Sequence, residues 1–127
     1  MDRQSRLTEL LSQAAPHLGA GEPIVAAVFG MYDVTISGRE SRRAGILFGT
    51  DHRLVLFGTK KSGFDLTALR YDDIQAVEQV RDAWGTTATF VTADELIVFG
   101  HMADADFAGF AAQVGERLEL LEATARS

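Results

Sequence analysis

The sequence has no cysteine, two prolines, a single tryptophan and no long apolar run. Without cysteine there is no disulfide to staple a small fold and no thiolate to hold a metal. The longest apolar stretch, Ile24 to Tyr32, has nine residues and includes Gly30, whereas a membrane-spanning helix needs about 20. The first residues lack the charged-then-apolar layout of a signal peptide, so a cytoplasmic location is expected. Basic residues are the scarcer charge, 12 Lys and Arg against 18 Asp and Glu, and the net charge is −6. Nucleic-acid affinity rests on neutralising phosphate, so no nucleic-acid partner is expected of such a chain. What remains, 127 residues of which 46% are hydrophobic, suffices for one globular domain with its own core.

The negative charge is unevenly spread. Residues 1–64 carry a net charge of +2 and residues 65–127 a net charge of −8. From Arg39 to Lys61 the balance is locally reversed, with six basic residues against two acidic ones.

The chain is organised around Gly45 to Gly58, GILFGTDHRLVLFG. Two short runs of branched and aromatic residues flank a polar centre, which predicts a β-hairpin reversing near Thr50 to His52. Leu54 and Leu56 share one face of its second strand, Arg53 and Val55 the other. Upstream, Leu7, Leu10, Leu11 and Ala14 fall at i, i+3, i+4 and i+7, the stripe of an amphipathic helix. Asp2 suits its start and Pro16 should close it, because the residue before proline avoids the α region. This helix either packs on the domain edge or offers its leucines to a partner.

Ile24 to Tyr32 is apolar on both faces, as in a strand covered on both sides, with Ile24, Ala26 and Val28 facing one way. Asp33 to Arg43 reads as a long hairpin loop whose ends extend the strands. Strands are further expected over 64–70, 74–81, 86–91 and 95–99, joined by short turns and therefore antiparallel. The last element is a helix, with Phe107, Phe110, Ala111, Val114, Leu118 and Leu121 forming one stripe and Asp104 or Asp106 as its cap. Gly109 and Gly115 weaken it by about 1 kcal/mol each, so burial against the sheet must stabilise it. The expected architecture is mainly β (α+β): a seven-stranded antiparallel curved sheet or partly open barrel, capped by a C-terminal helix, with an extra N-terminal helix. The divisions are 1–18 for the helix, 19–122 for the domain and 123–127 for a tail.

Four stretches in this order resemble the bacterial pleckstrin-homology (PH) domains, in particular the YokE-like group. They are Gly21-Glu22-Pro23-Ile24 before the first strand, Gly45-Ile46-Leu47-Phe48-Gly49-Thr50-Asp51-His52-Arg53-Leu54 at the hairpin, Tyr71-Asp72-Asp73-Ile74 with Val77, and Asp104 to Phe110. The resemblance implies the PH fold and no catalytic residues. It also implies two kinds of partner. Bacterial members resemble oligomerisation or protein-interaction modules, whereas eukaryotic relatives of the fold often bind phosphoinositides through basic residues near the first hairpin loop. The usual phosphoinositide pattern starts with Lys at the end of the first strand, where this chain has Met31-Tyr32-Asp33.

No constellation of residues points to catalysis. Gly58 to Gly63, GTKKSG, lacks both the spacing and the strand-to-helix context of a phosphate loop. His101, Asp104 and Asp106 match no metal motif, and Asp51-His52 reads as a turn pair with no nucleophile assigned to it. We therefore expect a non-enzymatic binding module, without metal or cofactor, that mediates self-association or protein–protein interaction. Its candidate contacts are Leu7, Leu10, Leu11, Trp84 and an unpaired strand edge, since exposed tryptophan is over-represented among interface hot spots. The alternative is an anionic-lipid headgroup or phosphate site formed by Arg39, Arg42, Arg43, Lys60 and Lys61, because guanidinium forks match such anions.

Overall fold

The computed structural model describes residues 2–36 and 38–114. Helix α1 (Arg3–Ala14) is followed by strands β1 (Ile24–Ile36), β2 (Arg39–Thr50), β3 (Arg53–Lys60), β4 (Gly63–Arg70), β5 (Ala76–Asp82), β6 (Gly85–Val91) and β7 (Leu96–Met102), then by helix α2 (Asp104–Val114). The strands form one antiparallel sheet in the order β4-β3-β2-β1-β7-β6-β5. β1 links the two halves through Met31↔Gly100. The sheet is rolled, so that Val28, Leu47, Leu54 and Leu69 of one half share a core with Val77, Phe90 and Phe99 of the other. Phe107, Phe110 and Val114 of α2 complete that core. Each contributes roughly 2 kcal/mol by leaving water, which offsets the helix-weakening Gly109. Leu118, Leu121 and Gly115 of the expected stripe lie outside the described residues, as do the boundary at 122 and the tail 123–127.

A second apolar layer lies on the outer face of β1–β3. Phe29, Ile46, Phe48, Val55 and Phe57 point away from the inner core and are covered by Leu10 and Ala14 of α1. The alternating apolar pattern on both faces of these strands is therefore explained by two layers, an inner one under α2 and an outer one under α1. Helix α1 lies across the sheet and not at the domain edge. The Arg3 and Arg6 guanidinium groups sit 5.6 and 5.4 Å from the centre of the Phe29 ring.

Local departures from the sequence expectations have local causes. Asp2 caps α1, its carboxylate accepting from the Ser5 N–H at 2.7 Å. Pro16 does not force its neighbour out of the helical region: Ala15 keeps φ −51°, ψ −41°. The chain instead tightens into a 3₁₀ turn, Ala15–His17, with proline at its start, where a missing N–H costs little. A bulge between Ile24 and Ala26 moves Ile24 to the outer layer beside Ala27 and Phe29, away from Ala26 and Val28. Of the expected long loop from Asp33 to Arg43, residues 33–36 and 39–43 are strand, paired through Asp33↔Arg42 and Ile36↔Arg39. Its polarity reflects a hairpin projecting into water, with Arg42 and Asp33 3.3 Å apart across the ladder.

Further along, Tyr71–Asp73 forms a single helical turn, and β5 begins at Ala76, two residues later than expected. β7 runs three residues past Phe99, because His101 takes a left-handed φ of 56° and lets both Phe99 and Met102 point inward. Asp104 is not the α2 cap. Ala103 carbonyl accepts the Phe107 N–H at 3.0 Å, and the Asp104 carboxylate, in the first turn, takes the buried Thr86 hydroxyl.

Candidate functional site

Three surfaces and clusters carry the polar chemistry. The first joins the stretches that resemble the PH family. Glu22, on the connector before β1, accepts from Arg53 Nε at 2.9 Å and Nη2 at 3.0 Å, from the Thr50 hydroxyl at 3.0 Å and from the Gly19 N–H at 2.9 Å. Thr50 Oγ1 also accepts the N–H groups of His52 and Arg53, each at 3.1 Å, closing the β2–β3 reversal. The Tyr71 hydroxyl donates to the Thr50 carbonyl at 2.8 Å, tying in the 3₁₀ turn. The Glu22 side chain is 8% exposed. Arg53 and the Gly19 N–H hold its carboxyl down at about 2, well below its ordinary 4.5. All these donors are used within the chain, so the cluster is a structural staple.

The second cluster sits at the open end of the inner face. The Tyr32 ring lies flat on Gly45 of β2 and Gly58 of β3, where a Cβ would come within 2.7 and 2.2 Å of its atoms. Two glycines are required there because any side chain would displace the ring. The Tyr32 hydroxyl then reaches Asp65 on β4 at 2.7 Å, and Arg43 Nη1 reaches the same oxygen at 2.9 Å. Lys60 stands 3.4 Å from the other oxygen. Burial and the neighbouring carboxylate push the Tyr32 hydroxyl well above its ordinary value. Burial works against ionisation of Asp65, yet hydrogen bonds from Tyr32 and Arg43 keep its carboxyl below the ordinary range.

The five basic residues expected to form an anion site divide. Arg42 is paired with Asp33 and donates to His101 Nε2 at 3.1 Å, on the projecting hairpin. Arg39 is exposed and has no acidic partner among the described residues. Arg43, Lys60 and Lys61 come together, and Arg6 of α1 joins them around a depression of about 480 Å³ that Thr59 and Ser62 also line. Arg6 was missed in the sequence. Its only signal is its place three residues after Arg3 on an amphipathic helix, and nothing local says which strand turn that helix reaches.

The candidate contact residues also divide. Leu10 is buried against the chain's own sheet, and Leu7 and Leu11 are half-buried in the same layer. Trp84 is 74% exposed at the β5–β6 turn, where its backbone N–H donates to the Asp82 carboxylate at 2.7 Å. The register places Val80 and Glu78 of β5, Thr87 and Thr89 of β6 and Val98 of β7 on one outer face, with Ala76, Val91 and Leu96 at its end. Val80 and Leu96 are more than 60% exposed, and Val98 is 42% exposed. Among the described residues no group of three or more His, Cys, Asp or Glu is placed to hold a metal ion. None of the described helices is long and apolar enough to cross a membrane.

This topology, seven antiparallel strands rolled around a C-terminal helix, is the PH-like fold. Two solved structures share it: the C-terminal domain of an unknown protein from Leishmania infantum (TM-score 0.60, 20% identity, 84% of this chain and 95% of that one) and the Vps36 N-terminal PH domain (TM-score 0.57, 18% identity, 82% and 84%). No family model and no curated protein matches the chain.

Proposed function

We propose that this chain is a non-enzymatic PH-like module of the bacterial, YokE-like kind that binds protein, using the outer face of β5–β7 and Trp84. The carrying observation is the asymmetry of the two outer faces. That of β1–β3 is sealed by α1, whereas that of β5–β7 leaves Val80, Leu96 and Val98 in water around Glu78, with Trp84 exposed at the adjoining β5–β6 turn. Large apolar residues exposed on one face suit a contact surface, and tryptophan is enriched among interface hot spots. A cytoplasmic setting belongs to the same reading. The test compares wild type with the double variant Trp84→Ala, Leu96→Ser in affinity capture from a lysate of the native cell. The wild type should retain a partner or a second copy that the folded variant loses; equal recovery from both would overturn it.

A second reading has its own observation, the depression ringed by Arg6, Arg43, Lys60 and Lys61. It supports binding of a phosphate group, free or on a lipid headgroup. Vesicles containing anionic lipid should pull the protein down at low salt and release it at high salt, because surface charge attraction is screened. Inorganic phosphate should release the vesicles at an ionic strength where chloride does not if a phosphate group is what is recognised, and should bind without vesicles if the free ion suffices. Arg6→Glu together with Lys61→Glu should abolish co-sedimentation, and unchanged binding would remove this reading.

A further inference from the structure

We propose that two copies of this chain associate by pairing their β4 edges antiparallel about a two-fold axis, which joins the two sheets into one. This goes beyond the protein-binding reading above, because it uses a different surface and names the partner as a second copy. β4 is the last strand on its side of the sheet. Its hairpin with β3 sets Lys60 opposite Gly63, then Gly58 opposite Asp65 and Leu56 opposite Thr67. In a two-residue hairpin those pairs exchange the ladder bonds, so the N–H and C=O groups of Phe64, Leu66 and Ala68 point to the open side. Edges that must stay single are blunted by lysine, proline or bulges. Phe64 to Ala68 has none of these, and its one charge, Asp65, is already tied to Tyr32, Arg43 and Lys60.

Charge complementarity selects the occupant. The β4 edge begins at a basic end, where Lys60 and Lys61 border the cationic depression. It finishes at an acidic end, where Asp72, Asp73, Asp94 and Glu95 line another. Arg70, 3.8 Å from Asp72, offsets only part of that charge. A two-fold axis turns one copy end for end, so each basic end meets the acidic end of the other. With Leu66 opposite Leu66 of the second copy, Phe64 faces its Ala68, and the Lys61-Ser62 turn meets the end of its β4, where Arg70 leads into Asp72 and Asp73. Centring the pair on Asp65 instead would oppose two carboxylates. The contact is isologous and therefore closes as a dimer.

Sedimentation equilibrium of the full chain tests this. Twice the 13.8 kDa chain mass is expected, with association weakening as salt rises. Ala68→Pro removes an edge donor that β3 does not use, a position where proline is tolerated. It should weaken association about a hundredfold with the circular dichroism spectrum intact. Lys60→Glu with Lys61→Glu should weaken it about tenfold, and adding Asp72→Lys with Asp73→Lys should restore it. A single-chain mass at the highest soluble concentration would overturn the dimer while leaving a foreign protein on the Trp84 face untouched. A dimer indifferent to Ala68→Pro and to the charge swap, yet lost in Trp84→Ala, would overturn the edge and keep self-association.

Discussion

Replacing Glu22 by Gln changes one charge and little shape, which makes it the sharpest probe of this fold. The carboxylate is nearly buried, and its pKa is lowered from 4.5 to about 2 by Arg53 and the Gly19 N–H. A displacement of that size corresponds to at most about 3 kcal/mol of native stability, and the 28% exposure of Arg53 trims it toward about 2. Because folding lowers this pKa, the stabilisation is complete above the unfolded value of 4.5 and is lost progressively as pH falls toward about 2. Gln keeps one acceptor oxygen, so it can accept from Gly19 or from Thr50 but not from both, and the pH-dependent part of the difference between wild type and variant is what reports the charge. The difference also cancels Asp65, whose carboxyl is lowered in both proteins. Urea unfolding should be followed by far-ultraviolet circular dichroism, since Trp84 is 74% exposed and reports poorly on the core. Wild type should exceed Glu22→Gln by about 2 kcal/mol at pH 7, with the gap closing between pH 4.5 and about 2. A gap under about 0.5 kcal/mol at pH 7, or one independent of pH, would refute the reasoning.

Three further outcomes follow from the packing. Gly58→Ala drives a methyl to 2.2 Å from the Tyr32 hydroxyl oxygen and should cost about 2 kcal/mol in the same unfolding assay, against no measurable loss if the ring were free to move. Phe107→Ala removes a side chain 2% exposed between α2 and the rolled sheet, and should cost about 3–5 kcal/mol by denaturant midpoint. Trp84→Ala should leave stability within about 0.5 kcal/mol, because the ring stands in water; a larger loss by calorimetry would mean that it is part of the fold.

Much of the fold was legible because the apolar residues carry their own period. The hairpin from Gly45 to Gly58, the α1 stripe, the α2 stripe as far as Val114 and the seven strands all come through in the structure. Misreadings arose where polarity and covering diverge. Asp33 to Arg43 looks like a loop because it is solvated, yet cross-strand pairing keeps it extended. The leucines of α1 look available because nothing nearby in sequence says that Phe29, Ile46, Phe48, Val55 and Phe57 share one outer face for them to cover. The basic residues were legible as a composition but not as a place. Arg39 and Arg42 stay on the projecting hairpin, while Arg43, Lys60 and Lys61 meet Arg6, 37 residues upstream of the first of them, through tertiary packing alone.

The residues that carry the resemblance to PH domains are the ones the fold uses up. Glu22, Thr50 and Arg53 bond one another, Tyr71 closes on Thr50, and Ile74 and Val77 are buried. These satisfied donors and acceptors let the chain roll its sheet and cork it and have no valence left for a ligand, whereas Asp72 and Asp73 of the same stretches stay exposed. Recognition is then to be sought in groups outside the staple that are exposed or incompletely paired: the Trp84 face, the Arg6 depression and the β4 edge with its acidic end. The Arg6 depression and the β4 edge adjoin at Lys60 and Lys61, so Arg6 and Ala68 variants, and not lysine variants, tell those two apart without disturbing the core. A substitution in the staple should lower stability and every binding activity together, whereas a substitution on one surface should remove one activity and leave stability where it was.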